Sequence, residues 1–265
     1  MAKIELDKYY TSQELAVYCV AQTVAIVGGD NITEFVEPSA GTGVFLGYLD
    51  KPCLAFDIAP EHPSVKEQDY LALELPYKEG RCIIGNPPYG KGNYTSVKFF
   101  KRAILQGDFV SFILPISQLN NNMYMYEFDM IHSEDLGKQK YSGRLVHCVL
   151  NVYRRNADGL NIRPNYDLDD VTLRGVATGK SRNDKVPDDY DFSICGFGRI
   201  GTVAEREGQF CQQIYVSIHN GSLRQEITKV IKETDWLKLY GMTATPKLKH
   251  WMINKRLRSQ LPELR

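Results

Sequence analysis

The sequence lacks several features that would assign it to a specialised class of protein. Its six cysteines include no C-x-x-C pair, so we predict neither a zinc site nor a disulfide framework and expect buried, reduced thiols. No apolar run is long and uninterrupted enough to span a bilayer. Residues 1–10 carry charges where a signal peptide has its apolar run, which favours a cytoplasmic protein with no membrane partner.

A net charge is also absent, because 32 lysines and arginines balance 32 aspartates and glutamates. This weighs against a protein that coats nucleic acid non-specifically, since such binding needs many basic side chains that displace counterions from phosphates. Two local basic stretches remain, at residues 138–163 and 247–258, and each is interpreted first as a solvated surface. The chain has 265 residues, 43% of them hydrophobic, which is enough to bury a core.

Repeats and low-complexity tracts are missing as well, so the chain is interpreted as one globular unit with a seam near residues 156–164. In the first half, a helix capped by Thr11 or Ser12 is predicted over residues 11–26, and another over residues 97–105. Strands are predicted over residues 32–36, 53–56, 81–84 and 109–114. This alternation predicts an α/β fold with a mostly parallel sheet and helices on both faces. Ligands of such sheets bind at the carboxyl ends of the strands.

The second half has weaker patterns. Strands are predicted over residues 145–153, 192–195 and 213–218, and helices over residues 223–236 and 247–257. Residues 156–191 are rich in Asn, Asp, Gly and Arg, which predicts loops exposed on one face.

A glycine-rich turn follows the first predicted strand, in the segment Glu37-Pro38-Ser39-Ala40-Gly41-Thr42-Gly43. Where such a turn feeds a helix, a ligand can approach the backbone at positions that a side chain would block. The segment has no Gly-Lys-Ser/Thr, so it is not a P-loop. An ordinary strand-to-helix turn is the simpler interpretation, but such a turn has no need for an acidic residue at the strand tip.

Asp57 stands at the end of the next predicted strand. An acidic side chain in this place can accept hydrogen bonds from both hydroxyls of a ribose. It can equally form a turn or cap a helix, and both interpretations stay open.

The segment Asn86-Pro87-Pro88-Tyr89 follows the third predicted strand. The prolines have no N–H, so the carbonyl oxygens of this stiff turn are free to accept from a ligand. The Asn86 amide oxygen and the Pro87 carbonyl oxygen can together accept both hydrogens of one amino group, and Tyr89 offers a flat face for stacking on a ring. Two such acceptors would localise the lone pair of an amino group conjugated to a ring, as in adenine, and stabilise its charge during attack without a metal.

The order of these motifs resembles that of the S-adenosylmethionine-dependent amino-group DNA methyltransferases, specifically the adenine-N6 branch. The resemblance rests on residues 37–43, Asp57, Asp69 and residues 86–89, and it covers the chain up to Pro115. The upstream segment Lys8-Tyr9-Tyr10-Thr11 also resembles the segment that precedes the glycine motif in the gamma arrangement of this family.

The resemblance implies a role for each matching residue. Asn86, Pro87, Pro88 and Tyr89 would be catalytic and hold the target adenine, which must flip out of the duplex to reach them. Asp57 would hold the cofactor's ribose, Ile58 would pack on its adenine ring, and Asp69 would accept from its adenine amino group. The methionine part and the rest of the cofactor cleft would be formed by Tyr10, Thr11, Glu37, Pro38, Ser39, Gly41, Gly43 and Asn86.

The resemblance also implies how the chain is divided and what it binds. Residues 1–155 would form a Rossmann-like catalytic domain that binds S-adenosylmethionine, and residues 156–265 would complete the sheet and recognise DNA. The expected partners are double-stranded DNA and a cognate restriction endonuclease or specificity subunit. The expected DNA-contacting residues are Arg154, Arg155, Phe197 and Arg199.

A second glycine pattern occurs at residues 196–201 and matches G-x-G-x-x-G by letter. The residues after it are too few and too charged for the helix of a dinucleotide site, so we predict a loop between two strands that contacts DNA. His147, His219 and His250 have no spacing that suggests a metal site or a catalytic triad. Three alternatives stay open: methylation of a protein glutamine, methylation of an RNA adenine, or a catalytically silent DNA-binding or anti-restriction protein that keeps the cofactor.

Overall fold

The computed structural model describes residues 10–141, 144–179, 182–183, 185–242 and 246–265. The chain divides into two compact units, one ending at Arg163 and one beginning at Pro164. The first unit contains α1 (Gln13–Val27), β1 (Glu34–Glu37), β2 (Cys53–Asp57), β3 (Lys66–Glu67), β4 (Arg81–Gly85), α2 (Tyr94–Ala103), β5 (Phe109–Pro115), β6 (Asp129–Tyr141) and β7 (Arg144–Arg154). The second contains β8 (Val171–Gly179), β9 (Arg182–Asn183), β10 (Phe192–Cys195), β11 (Gln212–Ile218), α3 (Arg224–Glu233), α4 (Trp236–Leu239) and α5 (His250–Gln260).

The first unit is built on a seven-stranded sheet in the order β3-β2-β1-β4-β5-β7-β6. The neighbouring strands β3, β2, β1, β4 and β5 pair in parallel, whereas β7 runs antiparallel to both of its neighbours, β5 and β6. All four strands predicted in the first half are present, and the predicted mostly parallel sheet is confirmed.

Helices cover both faces of this sheet, as the pattern predicted. Side chains that alternate along a strand point to opposite faces. Phe35 therefore lies in one apolar cluster with α1, whereas its neighbour Val36 lies in another cluster with Phe99 and Phe100 of α2. The start of α1 is fixed by Ser12, whose side-chain oxygen accepts from the Leu15 N–H at 3.2 Å, which confirms one of the two predicted caps.

The connection from β1 to β2 differs from the prediction. No α-helix follows the glycine turn; residues 38–45 form turns, and Leu46–Tyr48 form a single 3₁₀ turn. Gly41 and Gly43 have φ angles of +50° and +72°, which are incompatible with a right-handed α-helix at these positions. Too few residues remain before Pro52 to nucleate a helix.

The second half contains strands that the pattern did not reveal. β6 was missed because it is mostly polar and because register shifts interrupt its pairing with β7. β8 lies inside residues 156–191, which were expected to form loops. The seven-stranded sheet is completed by β6 and β7, so residues 156–265 do not complete it as expected.

The described residues from Pro164 onward form a separate antiparallel sheet in the order β10-β11-β8-β9. Its core includes Ile194, Ile214 and Val216 from the strands and Ile227 and Ile253 from α3 and α5. The six cysteines are free, and four of them are buried as expected, whereas Cys53 is half-buried and Cys211 is exposed. Within the described ranges, each helix is too short or too polar to cross a membrane.

Candidate active site

Three sequence-predicted residues meet at one edge of the parallel sheet. β1 lies between β2 and β4, and its last residue, Glu37, pairs with Ala55. Asp57 ends β2, and Asn86 follows directly after β4. The carboxyl ends of these neighbouring strands therefore bring Glu37, Asp57 and Asn86 together, where ligands of such sheets bind.

Asn86 is held by side chains from two other segments. Its Nδ2 donates to Thr11 Oγ1 at 3.2 Å, and its backbone carbonyl accepts from Ser39 Oγ at 3.2 Å. The Asn86 Oδ1 atom is buried and has no hydrogen-bond partner among the described residues. Native proteins rarely leave a buried acceptor unpaired, because it loses about 1–3 kcal/mol of hydration without compensation. This oxygen is thus an acceptor without an internal donor.

The rest of the turn is rigid. Pro87 is buried and Pro88 is half-buried, and neither has an N–H that could pair with the Asn86 amide. The turn leads through residues 90–93 into α2, so its backbone is anchored at one end by β4 and at the other by that helix.

Tyr89 does not offer its ring to the surface. Only 8% of the residue is exposed, and its hydroxyl lies 3.5 Å from Cys148 Sγ. Cys148 in turn donates to the Tyr141 hydroxyl at 3.6 Å. Burial, with Tyr141 and Cys148 beside it, holds the pKa of Tyr89 well above its ordinary value, so the hydroxyl stays protonated. The expectation of an open stacking face is wrong for this conformation, because the ring is in the core.

The β6–β7 hairpin explains this burial. β5 ends at Pro115, which pairs with Cys148, so the part of β7 before Cys148 extends beyond the carboxyl end of β5. Cys148 and Tyr141 therefore stand at the same edge as the Asn86 turn. The sequence carried no signal for this contact, because β6 was not predicted.

The glycine turn is fixed by Asp57. One carboxylate oxygen accepts from the Gly41 N–H at 2.8 Å, and the other accepts from the Ala59 N–H at 2.8 Å. A Cβ on Gly43 would lie 2.9 Å from His62 Cγ, so residues 58–65 pack closely on the turn. Asp57 thus has the turn-forming role that was one of its two interpretations. Each oxygen keeps a second lone pair, which leaves the ribose interpretation open.

Glu37 is the buried carboxyl of the site. It is 1% exposed, and its Oε2 has no hydrogen-bond partner among the described residues. Burial and the neighbouring negative charge of Asp57 raise the pKa of Glu37 to about 8. The side chain is therefore mainly protonated at neutral pH.

Tyr10 and Thr11, which precede α1, cross the carboxyl end of β1. Tyr10 Oη donates to Glu61 Oε1 at 2.6 Å, and the Glu61 N–H donates to the Gly41 carbonyl at 2.9 Å. The next residue, Thr11, contacts Asn86 beyond β4. Because β1 lies between β2 and β4, the Tyr10–Thr11 dipeptide spans from the loop after β2 to the turn after β4. Lys8 and Tyr9, which belong to the same predicted motif, lie outside the described residues.

The remaining predicted cofactor residues occupy the margins of this edge. Pro38 is buried directly after Glu37. Ile58 is 51% exposed and follows Asp57, so its apolar side chain is free to cover a ligand ring. Asp69 is exposed beyond β3, and its Oδ1 accepts from the Leu71 N–H at 2.9 Å, which is a local turn contact. Glu61 and His62 were missed, because nothing in their sequence context marks them.

The structure does not bring the predicted DNA-contacting arginines to this site. Arg154 pairs with Phe109, the first residue of β5, and therefore lies at the opposite edge of the sheet. Arg155 Nη2 donates to the carbonyl oxygens of Ile104 and of Gly107, the latter at 3.1 Å, and Arg155 Nε donates to Asp108 at 3.2 Å. Their predicted contact with DNA stays a prediction, and it would lie away from Asn86.

The other two predicted DNA-contacting residues belong to the second unit. Phe197 and Arg199 are exposed on the loop between β10 and β11, as predicted for residues 196–201. The Arg199 guanidinium lies 5.4 Å from the centroid of the Phe210 ring.

No protein-family model matches the chain, and no curated protein matches it. Several solved structures are similar. The 23S rRNA methyltransferase ErmE has 14% identity and a TM-score of 0.43, over 58% of this chain and 72% of that chain. The type I restriction-modification methyltransferase subunit from Streptococcus thermophilus has 13% identity and a TM-score of 0.43, over 57% of this chain and 46% of that chain. Magnesium protoporphyrin IX methyltransferase from Synechocystis PCC 6803, with bound SAM, has 14% identity and a TM-score of 0.38, over 54% of this chain and 79% of that chain. At these values, function has to be argued from the residues of the site.

Proposed function

We propose that this protein is an S-adenosylmethionine-dependent methyltransferase that acts on the N6 amino group of an adenine in double-stranded DNA. The observation that carries the proposal is the Asn86 Oδ1 atom at the carboxyl end of a central parallel strand, a buried acceptor that has no partner among the described residues. The motif order that resembles the adenine-N6 branch supports the choice of substrate, and it implies a restriction endonuclease or specificity subunit as a partner.

The residues at the carboxyl end of β1 fit the cofactor. Gly41 and Gly43 leave the backbone of the turn without side chains, and Asp57 has free lone pairs. Glu37 has a buried oxygen to which no group in the described part of the chain donates. A cofactor with an ammonium group and ribose hydroxyls supplies the donors that these oxygens lack. When bound, S-adenosylmethionine supplies an electrophilic methyl group on a positively charged sulfur.

The turn after β4 would act on the target amino group. Asn86 Oδ1 and the Pro87 carbonyl oxygen can each accept one N–H, which weakens conjugation of the nitrogen lone pair with the ring. The same two oxygens would stabilise the positive charge that develops on nitrogen during attack. Their effect is large because they are fixed before the substrate arrives, through Thr11, Ser39 and the two prolines.

An adenine in a duplex cannot reach this turn unless it flips out, at a cost of a few kcal/mol. Stacking on Tyr89 would offset part of that cost, but its ring is buried against the β6–β7 hairpin. Stacking therefore requires Tyr89 to leave this contact, whereas the acceptor role of Asn86 requires no rearrangement of its own side chain.

The test is mass spectrometry of nucleosides from the DNA of a methylation-deficient host that expresses the chain. We expect N6-methyladenine with the wild type and none with Asn86→Ala, while the purified variant still binds S-adenosylmethionine in calorimetry. Asn31→Ala is the matched control, because this exposed asparagine precedes β1 at the opposite edge of the sheet. N6-methyladenine formed by Asn86→Ala would overturn the mechanism. Its absence from wild-type DNA, together with methylation of RNA or of a protein glutamine, would overturn the substrate.

A further inference from the structure

The second unit joins two stretches of sequence that are distant along the chain. Phe197 and Lys247 form an isolated antiparallel bridge. The Gly198 N–H donates to the Pro246 carbonyl, and the Leu248 N–H donates to the Gly196 carbonyl, each at 3.0 Å. The loop that carries Phe197 and the basic segment before α5 are therefore one surface rather than two.

A cavity of about 300 Å³ opens beside this bridge. Its lining includes Lys247, Lys249 and His250, and the described residues that line it include no Asp or Glu. Neither lysine forms an ion pair with a described residue, so both ammonium groups are available to a ligand. Burial lowers the pKa of His250 despite the opposing negative charge of Asp167, so the cationic character of the cavity rests on the two lysines.

Glycines keep this cavity open. A Cβ on Gly175 of β8 would lie 3.3 Å from His250 Nε2, and a Cβ on Gly196 would lie 3.1 Å from Ile214 Cγ1. Side chains at these positions would fill the space between the strands and the basic segment. A lining in which two lysines carry the charge suits a ligand whose own charge is negative.

We propose that the Lys247–Lys249 cavity holds a backbone phosphate of a DNA strand, with Phe197 against the adjoining nucleotide. The proposal rests on the proposed function, since it assigns part of the DNA contact of the same enzyme. Cross-strand partners in an antiparallel bridge have neighbouring side chains, so the 38% exposed Phe197 lies next to Lys247. A cation beside an exposed aromatic ring matches the alternation of phosphate and base along a nucleic acid strand.

Binding of a fluorescein-labelled duplex oligonucleotide to the full chain tests this proposal by anisotropy over a series of salt concentrations. We expect the double variant K247Q/K249Q to bind more weakly and to reduce the slope of log Kd against log salt by about 1, since the loss of one phosphate contact removes roughly one. The control K229Q/K238Q removes two exposed lysines from α3 and α4 and should keep the wild-type slope. Phe197→Ala should weaken binding without a change in slope.

The source of the phosphate is tested by competition. If inorganic phosphate displaces the duplex from the wild type as well as an unlabelled duplex does at equal phosphate concentration, the cavity takes small phosphates and the proposal is wrong. Wild-type affinity and slope in K247Q/K249Q would also overturn it.

Failure of this proposal is distinguishable from failure of the proposed function. If the wild type produces no N6-methyladenine but its duplex binding still depends on the two lysines, the phosphate site is supported and the proposed enzymatic activity is wrong. If N6-methyladenine is produced and the lysine variant binds the duplex with wild-type affinity, the enzymatic assignment is supported and the proposed phosphate site is wrong.

Discussion

Thr11 Oγ1 accepts a hydrogen bond from Asn86 Nδ2 at 3.2 Å, across 75 positions of sequence. The contact directs the nitrogen end of the amide away from the candidate substrate position, and the oxygen end has no partner within the described ranges. An amide that donates at one end is also a better acceptor at the other, because hydrogen bonds in a chain polarise one another. Thr11 is therefore a positioning residue for Asn86.

The first prediction concerns this contact. Thr11→Val keeps the shape of the side chain but removes the acceptor, so the amide can turn over and part of the population loses the aimed oxygen. We expect kcat to fall about tenfold, which corresponds to about 1.4 kcal/mol, with little change in the Kd of S-adenosylmethionine. Thr11→Ser should restore kcat. A large rise in the cofactor Kd with unchanged kcat would instead assign Thr11 to cofactor binding alone.

Glu37 predicts how stability depends on pH. Its pKa is raised from 4.5 to about 8 in the folded protein. Its stabilising contribution is fully present below pH 4.5 and is lost as pH rises through about 8, because the unfolded chain releases the proton first. Glu37→Gln should remove this loss and gain up to about 5 kcal/mol over the wild type as pH rises. Urea unfolding across this range is the measurement, with Glu67→Gln on exposed β3 as the control. Parallel pH profiles of wild type and Glu37→Gln would show that the carboxyl is not held neutral.

The hydroxyl of Tyr89 is expected to contribute to the stability of the fold but not to the rate of methyl transfer. Tyr89→Phe removes the hydroxyl contact with Cys148 but keeps the ring, so we expect a loss of about 1 kcal/mol in unfolding free energy. Methylation should stay near the wild-type rate, because the acceptors on the amino group are untouched. Chemical denaturation and a methyl-transfer assay measure the two effects. A loss of activity beyond tenfold would show that the hydroxyl itself takes part in the reaction.

The next prediction is that Arg155 contributes to the stability of the fold and not to DNA binding. Arg155→Ala removes one donor from Asp108, which keeps Tyr77 and Gly80, and removes the guanidinium donor from two backbone carbonyls. It should lower the unfolding free energy by about 2 kcal/mol without a change in duplex affinity. Its exposed neighbour is the matched control, since Arg154→Ala should change either quantity little. Weaker duplex binding in the Arg155 variant at wild-type stability would return this residue to the DNA interface.

Local signals in the sequence predicted the frame of the site. Apolar runs that end in Glu37, Asp57 or Asn86 are properties of single strands, and the parallel topology then brings those ends together. The Ser12 cap was predictable for the same reason, since capping depends on a few neighbouring residues.

Contacts between distant segments could not be predicted from such signals. Thr11 reaches Asn86, and Tyr89 reaches Cys148, only because of how the elements pack. The absence of a helix after Gly43 could not be predicted for a different reason. A glycine turn looks the same in sequence whether or not enough chain follows it to propagate a helix.

The span of Tyr10 and Thr11 over the tip of β1 has a kinetic consequence. A ligand that enters beneath this dipeptide would have to break the Tyr10–Glu61 hydrogen bond, and a shift of Tyr10 would carry Thr11, its neighbour in sequence, away from Asn86. The amide of Asn86 is then correctly held only after the dipeptide has closed again. We therefore expect compulsory-order kinetics, with the cofactor binding before the base, and product-inhibition patterns will distinguish this from random addition. Tyr10→Phe, which removes the hydroxyl, should quicken cofactor exchange.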